Sequence, residues 1–209
     1  MTTKERIIEE ALTLFSVKGY HGTSVKNIAD AVGIKDSSLY KHFKSKKEIF
    51  DTIVLEMSDR MELMSKEYGL PDDAELEQGA AIYAALTMES LLSLSRKIFL
   101  FYLTDSFASR FRRMLTAEQY RDREIYQVYR HTFMDSAVVY QTALFGEMIR
   151  QGIFHGEDPE AMAVNFYAPI FFLLNKYDQE PDKIEESLMA LERQVKEFDR
   201  IYRKDQRRG

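Results

Sequence analysis

An all-α fold is predicted for this 209-residue chain: a three-helix unit of helix-turn-helix form over residues 1–47, then a larger helical body over 48–209. Three observations predict it. Apolar residues recur at i, i+3, i+4 and i+7 through the first fifty positions, the spacing of one helix face. Hydroxyl residues and glycines punctuate those stripes where caps and stops belong. No strand-like alternation with hairpin turns follows residue 70.

Thr2-Thr3-Lys4-Glu5 has the form of a capping box, and Ile8, Ala11, Leu12 and Phe15 supply the first apolar stripe up to a stop at Gly19. Thr23 or Ser24 caps a second helix, whose apolar positions are Val25, Ile28, Ala29 and Val32. Gly33 gives the backbone freedom a sharp turn requires. Leu39 and Phe43, at i and i+4, anchor a third helix to the first two. Ser45-Lys46-Lys47-Glu48 is a second capping box, opening a fourth helix through Ile49, Phe50, Ile53, Val54, Met57, Met61 and Met64 to about Tyr68. Gly69-Leu70-Pro71-Asp72-Asp73 breaks it. Further helices are expected over 74–94, 96–113, 117–151, 159–177 and 182–204. Thr116 with Gln119 should cap the third of these and Gly152 end it. Asp158-Pro159 should start the next, with a bend at Pro169, and Asp182 with Glu185 should start the last. There is no internal repeat and no low-complexity segment.

The third helix leaves Lys35, Asp36, Ser37, Ser38, Tyr40, Lys41 and His42 facing outward or along a rim. That set suits DNA, because side chains on the first turns of a helix lying in the major groove reach base edges. Ser37 and Ser38 can hydrogen-bond to several bases, and Lys35 can reach a guanine edge or a phosphate. Tyr40 and His42 suit phosphates, which position the unit without reading sequence. Lys46, and Thr23 or Ser24, lie beside free helix amides that favour a phosphate. Taken singly, a hydroxyl at a helix start can be a cap alone, and a lysine near a helix end can be solvated; the ordered combination carries the argument.

At this point the residues resemble a known family. Residues 6–53, with ALTLFSVKGYHGTSVKNIADAVGIKDSSLYKHFKSKKEIF inside them, are similar to the DNA-binding domain of the TetR family of bacterial transcriptional repressors. The positions that carry the likeness are Phe15, Gly19, Tyr20, Thr23, Ser24, Ile28, Ala29, Gly33, Leu39, Tyr40, His42, Phe43, Lys46 and Ile49. Many members have Gly then Thr just before the Leu-Tyr pair, where this chain has Ser37 and Ser38, and Asp36 is unusual beside phosphates. The resemblance therefore implies a double-stranded DNA operator but no particular operator sequence.

Composition agrees. The net charge is −5, yet residues 1–50 hold 9 Lys/Arg against 6 Asp/Glu, and the remainder 20 against 28. A basic module on an acidic body is the asymmetry of a modular regulator, and the modest surplus suggests two copies acting together. With no cysteine, disulfides and thiolate metal sites are excluded. No signal-peptide pattern is visible, and a cytoplasmic location is expected. The strongest apolar runs, Ile98–Leu103 and Phe166–Leu174, fall short of the about 20 residues a membrane span needs. An enzyme would need a nucleophile with its base, paired acids or metal ligands. The chain has no phosphate loop, no His-Glu-x-x-His and four scattered histidines. His131 and Asp135, at i and i+4, have no evident third partner. No catalytic, metal or cofactor site is expected.

The body between 98 and 173 is rich in aromatic residues, which either fill a core or line an apolar ligand cavity with tyrosine hydroxyls as orienting groups. The resemblance implies an inducer pocket in this region, for a largely apolar small molecule. Phe99, Tyr102, Tyr140 and Phe171 are the candidate lining residues. It also implies a homodimer joined by the last long helices in a four-helix bundle. One helix-turn-helix reads one half-site, and two at fixed spacing read a palindrome. Phe166, Pro169, Ile170, Leu173 and Leu174 are the candidates there, with an intramolecular core as the alternative for each. The expected function is a ligand-responsive, sequence-specific repressor whose fourth helix acts as a lever. The alternative is a DNA-binding protein controlled by a protein partner.

Overall fold

Thr2 opens the first helix as its sequence requires. In the computed structural model, which describes residues 1–71 and 76–204, its hydroxyl accepts from the Glu5 amide at 3.2 Å, and the Glu5 carboxylate accepts from the Thr2 amide at 2.8 Å. Among the described residues eleven helices follow in order: α1 Thr3–Lys18, α2 Val25–Val32, α3 Asp36–Leu39, α4 Lys46–Glu67, α5 Leu76–Ala85, α6 Met88–Thr104, α7 Ser106–Glu118, α8 Arg123–Arg130, α9 Ser136–Arg150, α10 Pro159–Lys176 and α11 Ile184–Tyr202. A π-helical turn, His131–Asp135, joins α8 to α9, and a 3₁₀ turn, Pro181–Lys183, precedes α11. Among the described residues the β structure is one bridge, Phe154 with Arg203, so the fold is all-α. No described helix is long and apolar enough to cross a membrane.

The chain forms two compact units. The first comprises Met1–Met64 with Thr104–Arg130, the second Ser65–Leu103 with His131–Gly209. This differs from a single linear boundary after residue 47. The reason lies in the packing of the first unit. Ile49, Phe50, Ile53 and Met57 of α4 are buried with the three-helix core, as are Phe107, Phe111, Met114 and Leu115 of α7. Arg110 of α7 fastens itself to α1, reaching Glu9 Oε2 at 2.6 Å and Thr13 Oγ1 at 2.7 Å.

In the second unit one core gathers Phe145, Phe154 and Phe198 around Ala80, Leu144, Met148 and Met162. A neighbouring core joins Phe99 and Leu103 to Leu173, Leu174, Leu188, Leu191 and Val195. Phe166 packs against both. The aromatic rings of the first core meet edge-on or tilted at 4.9–6.0 Å, a geometry that favours their quadrupoles.

Several element boundaries depart from the sequence reading. The stretch 74–94 (its first two residues lie outside the described ones) breaks before Thr87, whose hydroxyl accepts from Ser90 N. Asp105 caps α7 through the amides of Phe107 and Ala108. The stretch 117–151 is three elements, because Asp122 caps a new helix through Glu124 N and Ile125 N and the π turn then adds a residue. Thr116 is interior to α7 and donates to Arg112 O. The last helix begins through the 3₁₀ turn, and no capping bond from Asp182 opens it. Asp158-Pro159 starts α10 as expected, and Pro169 lies within that helix.

Candidate nucleic-acid interface

The α2–turn–α3 segment is fixed from inside by apolar groups and from its ends by caps. Ile28, Ala29, Val32, Leu39 and Phe43 are buried. Ser24 and Asn27 form a reciprocal box at the start of α2. Gly33 sits in the left-handed region at φ 76°, ψ 35°, with its amide on Ala29 O and Asp30 O; a side chain there would be strained. The Arg6 guanidinium donates to Val32 O and satisfies a carbonyl at the end of α2. Lys4 lies 5.5 Å from the centre of the Phe43 ring.

On this frame Lys35, Asp36, Ser37, Tyr40, Lys41 and His42 are exposed and Ser38 is half-buried. Tyr40 is 53% exposed. The exposed group is therefore the one expected from sequence. The regular helix that carries it is shorter, at four residues, and continues as turns in which His42 N and Phe43 N both reach Leu39 O. Lys26 and Lys44 are also exposed in this unit. They were missed as candidates because isolated lysines carry no spacing signal.

Two candidates have other tasks. Thr23 is 1% exposed, and its hydroxyl donates to Gly19 O at 2.9 Å. Its side chain is closed to a phosphate, and the cap is Ser24. Lys46 turns inward. Its ammonium donates to Tyr20 O at 2.7 Å and Thr23 O at 2.9 Å and lies 4.2 Å from the centre of the Tyr20 ring. Burial lowers its pKa, opposed by the charge of Glu118. Lys46 thus fastens the start of α4 to the α1–α2 loop. Ser45 caps α4 through Glu48 N, while Glu48 reaches Lys44 N instead of Ser45 N, so the second box is half formed.

The opposite face of that loop meets the corner between α7 and α8. Glu118 Oε1 accepts from His21 N at 3.4 Å, and Asp122 Oδ2 lies 2.9 Å from His21 Nε2. The Asp122 carboxyl is held below its ordinary range, first by the Ile125 amide, against desolvation, and then by His21. Lys47 pairs with Asp51 and with Glu124, both at 3.1 Å, and these partners raise its pKa.

The ligand candidates separate. Phe99 is buried in a core. Tyr140 donates from its hydroxyl to Pro71 O at 3.0 Å and packs on the other core. Tyr102 is half-buried, its ring 6.2 Å from that of Phe133 in the π turn, and burial pushes its phenol up to about 12. Tyr167 donates to Phe133 O at 2.7 Å and its ring lies 6.0 Å from that of Phe171. Tyr102 and Phe171 are thus linked through Phe133 and Tyr167, and Tyr102 also packs against the core that holds Phe99. His131 and Asp135 bound the π turn, and among the described residues no three acidic or histidine side chains gather as a metal site.

The dimer candidates lie on α10. Leu173 and Leu174 are buried in the chain's own core, and Phe166 and Ile170 pack against it. The exposed residues of α10 are Glu160, Ala161, Val164, Asn165, Ala168, Phe172, Asn175 and Lys176, with Phe172 63% exposed. Met189 of α11 is likewise exposed. An open groove of about 610 Å³ is lined by Pro169, Phe172, Leu173, Ala190, Arg193, Gln194, Lys196, Glu197 and Arg200.

Comparison with known proteins agrees with this geometry. Residues 7–53 match the family model described as bacterial regulatory proteins, tetR family. Over 51 residues the chain is 55% identical to the biofilm operon icaADBC HTH-type negative transcriptional regulator IcaR of Staphylococcus aureus (strain Newman). That match covers 24% of this chain and 27% of the relative, so it spans about a quarter of each. A putative TetR-family transcriptional regulator from Mesorhizobium loti MAFF303099 superposes with a TM-score of 0.67 over 97% of both chains at 20% identity. SmeT, the repressor of the Stenotrophomonas maltophilia multidrug efflux pump SmeDEF, gives 0.61 over 99% of this chain and 93% of SmeT at 20% identity; its triclosan complex is similar at 0.61 and 19%, over 99% and 94%. Residues 7–53 thus match the tetR family of bacterial regulatory proteins, and the chain as a whole has the fold of the TetR-family regulators it superposes on.

Proposed function

We propose that this protein is a sequence-specific DNA-binding repressor that acts as a homodimer on an inverted repeat. One observation carries the reading. The buried pair Leu39 and Phe43 holds a turn of helix whose other side presents Ser37, Tyr40, Lys41 and His42 to solvent. Ser37 and Lys35 read base edges. Tyr40, Lys41 and His42, with Ser24 and Lys26, hold phosphates. Ser38, half-buried, supports the reading edge. IcaR, which shares this module at 55% identity, is named as a negative regulator, which supports repression over activation.

The outward stripe Val164, Ala168 and Phe172, with Met189, is the surface we assign to the second copy. It is apolar on helices that already have a full inner core, and burying such a face drives association. An apolar effector is assigned to the aromatic chain Tyr102, Phe133, Tyr167 and Phe171. The π turn beside it supports this, since such turns recur at functional sites, and SmeT, of the same fold, forms a complex with triclosan. If effector and operator favour different states, each weakens the other by the same factor.

The test is selection of bound duplexes from a random pool at two salt concentrations. Recovery of one inverted repeat supports the reading. Retention without a motif, lost as salt rises, contradicts it. A thermal shift with apolar compounds separates an effector-controlled protein from one controlled by a protein partner.

A further inference from the structure

We propose that Glu118 and Asp122, at the corner between α7 and α8, are positioning residues for DNA reading: they hold the Gly19–Thr23 loop from which α2 and α3 take their orientation. This rests on the DNA-binding reading above. Neither residue lies in the part of the chain that matches the family's DNA-binding module, residues 7–53.

Glu118 is 1% exposed. Its Oε1 accepts from the His21 amide and occupies the space beside Gly19, where an added Cβ would lie 2.1 Å from that oxygen. Gly19 is also at φ 79°. The loop therefore carries a glycine for two reasons, its backbone conformation and the close approach of a carboxylate. Asp122 divides its oxygens: Oδ1 caps α8 through Glu124 N and Ile125 N, and Oδ2 pairs with His21 Nε2. One carboxylate thus ties the start of α8 to the loop. From the other side Lys46 grips Tyr20 O and Thr23 O. The charged groups around His21 are Asp122 and Glu118, with Lys47, Asp51 and Glu124 close by at Tyr20. Between the two grips the loop has little freedom, and Ser24, which caps α2, follows it directly.

The backbone passes between the two units at 64–65, 103–104 and 130–131. Helix α4 is therefore one of three connections, and α8 leads straight into the π turn.

The sign of the effect separates positioning from plain electrostatics. Carboxylates repel phosphates, so removing their charge from a DNA-binding unit should by itself strengthen binding. Positioning requires the reverse. In the full-length protein, Asp122→Asn keeps the shape of the cap and removes the negative charge facing His21; Glu118→Gln does the same beside Gly19. Asp122→Asn should weaken binding to the selected duplex about threefold or more, the scale of a partly exposed ion pair, and Glu118→Gln, at a buried hydrogen bond to a charged acceptor, by at least as much, with no change in the salt slope, since no phosphate contact is lost. His21→Gln combined with Asp122→Asn should be no weaker than Asp122→Asn alone. Without DNA, amide hydrogen exchange at residues 19–23 should quicken in both single variants. Unchanged or tighter binding by folded variants overturns the proposal, as does unchanged exchange. A wild-type protein that binds no duplex, while the variants show faster exchange, refutes the DNA-binding reading and leaves the grip on the loop standing.

Discussion

Replacing Lys46 with methionine removes the ammonium and keeps the stem, which isolates what the charge does. The ammonium makes two hydrogen bonds to carbonyls, at 2.7 and 2.9 Å, and rests on the Tyr20 ring. Hydrogen bonds to a charged donor contribute about 1.5–3 kcal/mol each in favourable cases, and a partly exposed cation–π contact about 0.5–1 kcal/mol. Against this stands the cost of desolvating the amine, seen in its lowered pKa. A net loss of about 2 kcal/mol is expected, which for a chain of this size lowers Tm by about 4–8 °C. Thermal unfolding by circular dichroism reads that loss directly. Operator affinity should fall through disorder of the loop, while the salt slope stays that of the wild type. Lys41→Ala, whose side chain is exposed, should do the opposite: Tm unchanged and the slope reduced by about 0.9 for each reading head. If Lys46→Met leaves Tm in place and takes about one unit from the slope, the ammonium meets a phosphate and the inward assignment is wrong.

Other perturbations follow the same logic. Ser37→Ala should relax base preference at one or two operator positions and leave affinity for the remaining sequence intact, as read by competition against singly substituted duplexes; a uniform loss would assign Ser37 to backbone contact. Phe172→Glu should yield folded monomers, helical by circular dichroism, in sedimentation at micromolar concentration, since an exposed substitution seldom disrupts a chain's own core; a dimer that persists moves the interface elsewhere. Leu173→Glu, on the buried neighbour, should instead unfold the second unit. The Asp122 carboxyl has a folded-state pKa below its unfolded value. Its contribution is therefore complete above about pH 4 and is lost as pH falls through the lower, folded-state value. Asp122→Asn should flatten acid unfolding in that window, and an unchanged acid transition would show that the pairing contributes nothing to stability.

Much of the first unit was legible because its signals are local. The box at Thr2, a cap at Thr23 or Ser24, the turn at Gly33 and the anchors Leu39 and Phe43 each depend on residues within four positions of one another. The tasks of Thr23 and Lys46 were not legible for the converse reason. Whether a hydroxyl or an ammonium faces out or bonds a carbonyl 4 or 26 residues away is decided by packing. Helices 106–118 and 123–130 were obscured because Asp105 and Asp122 cap inside stretches that keep their apolar spacing, and an added residue in a π turn shifts the helical phase without breaking it. In α10 the apolar residues run round the whole helix. Periodicity alone therefore could not tell Leu173, which faces the core, from Phe172, which faces out. Glu118 and Asp122 gave no signal at all, since acidic residues are not sought as partners of a DNA-reading loop.

The most direct test of the account is a contact footprint on the selected duplex, by interference from backbone ethylation and base methylation, with wild-type protein and with Lys41→Ala. Two reading heads predict two patches of interference in successive major grooves, about 10 base pairs apart or a multiple of it. Lys41→Ala should remove one ethylated position from each patch and no base position. Continuous protection without discrete patches, or a single patch unaffected by Lys41→Ala, would contradict the claim that paired α2–α3 units read DNA through this face.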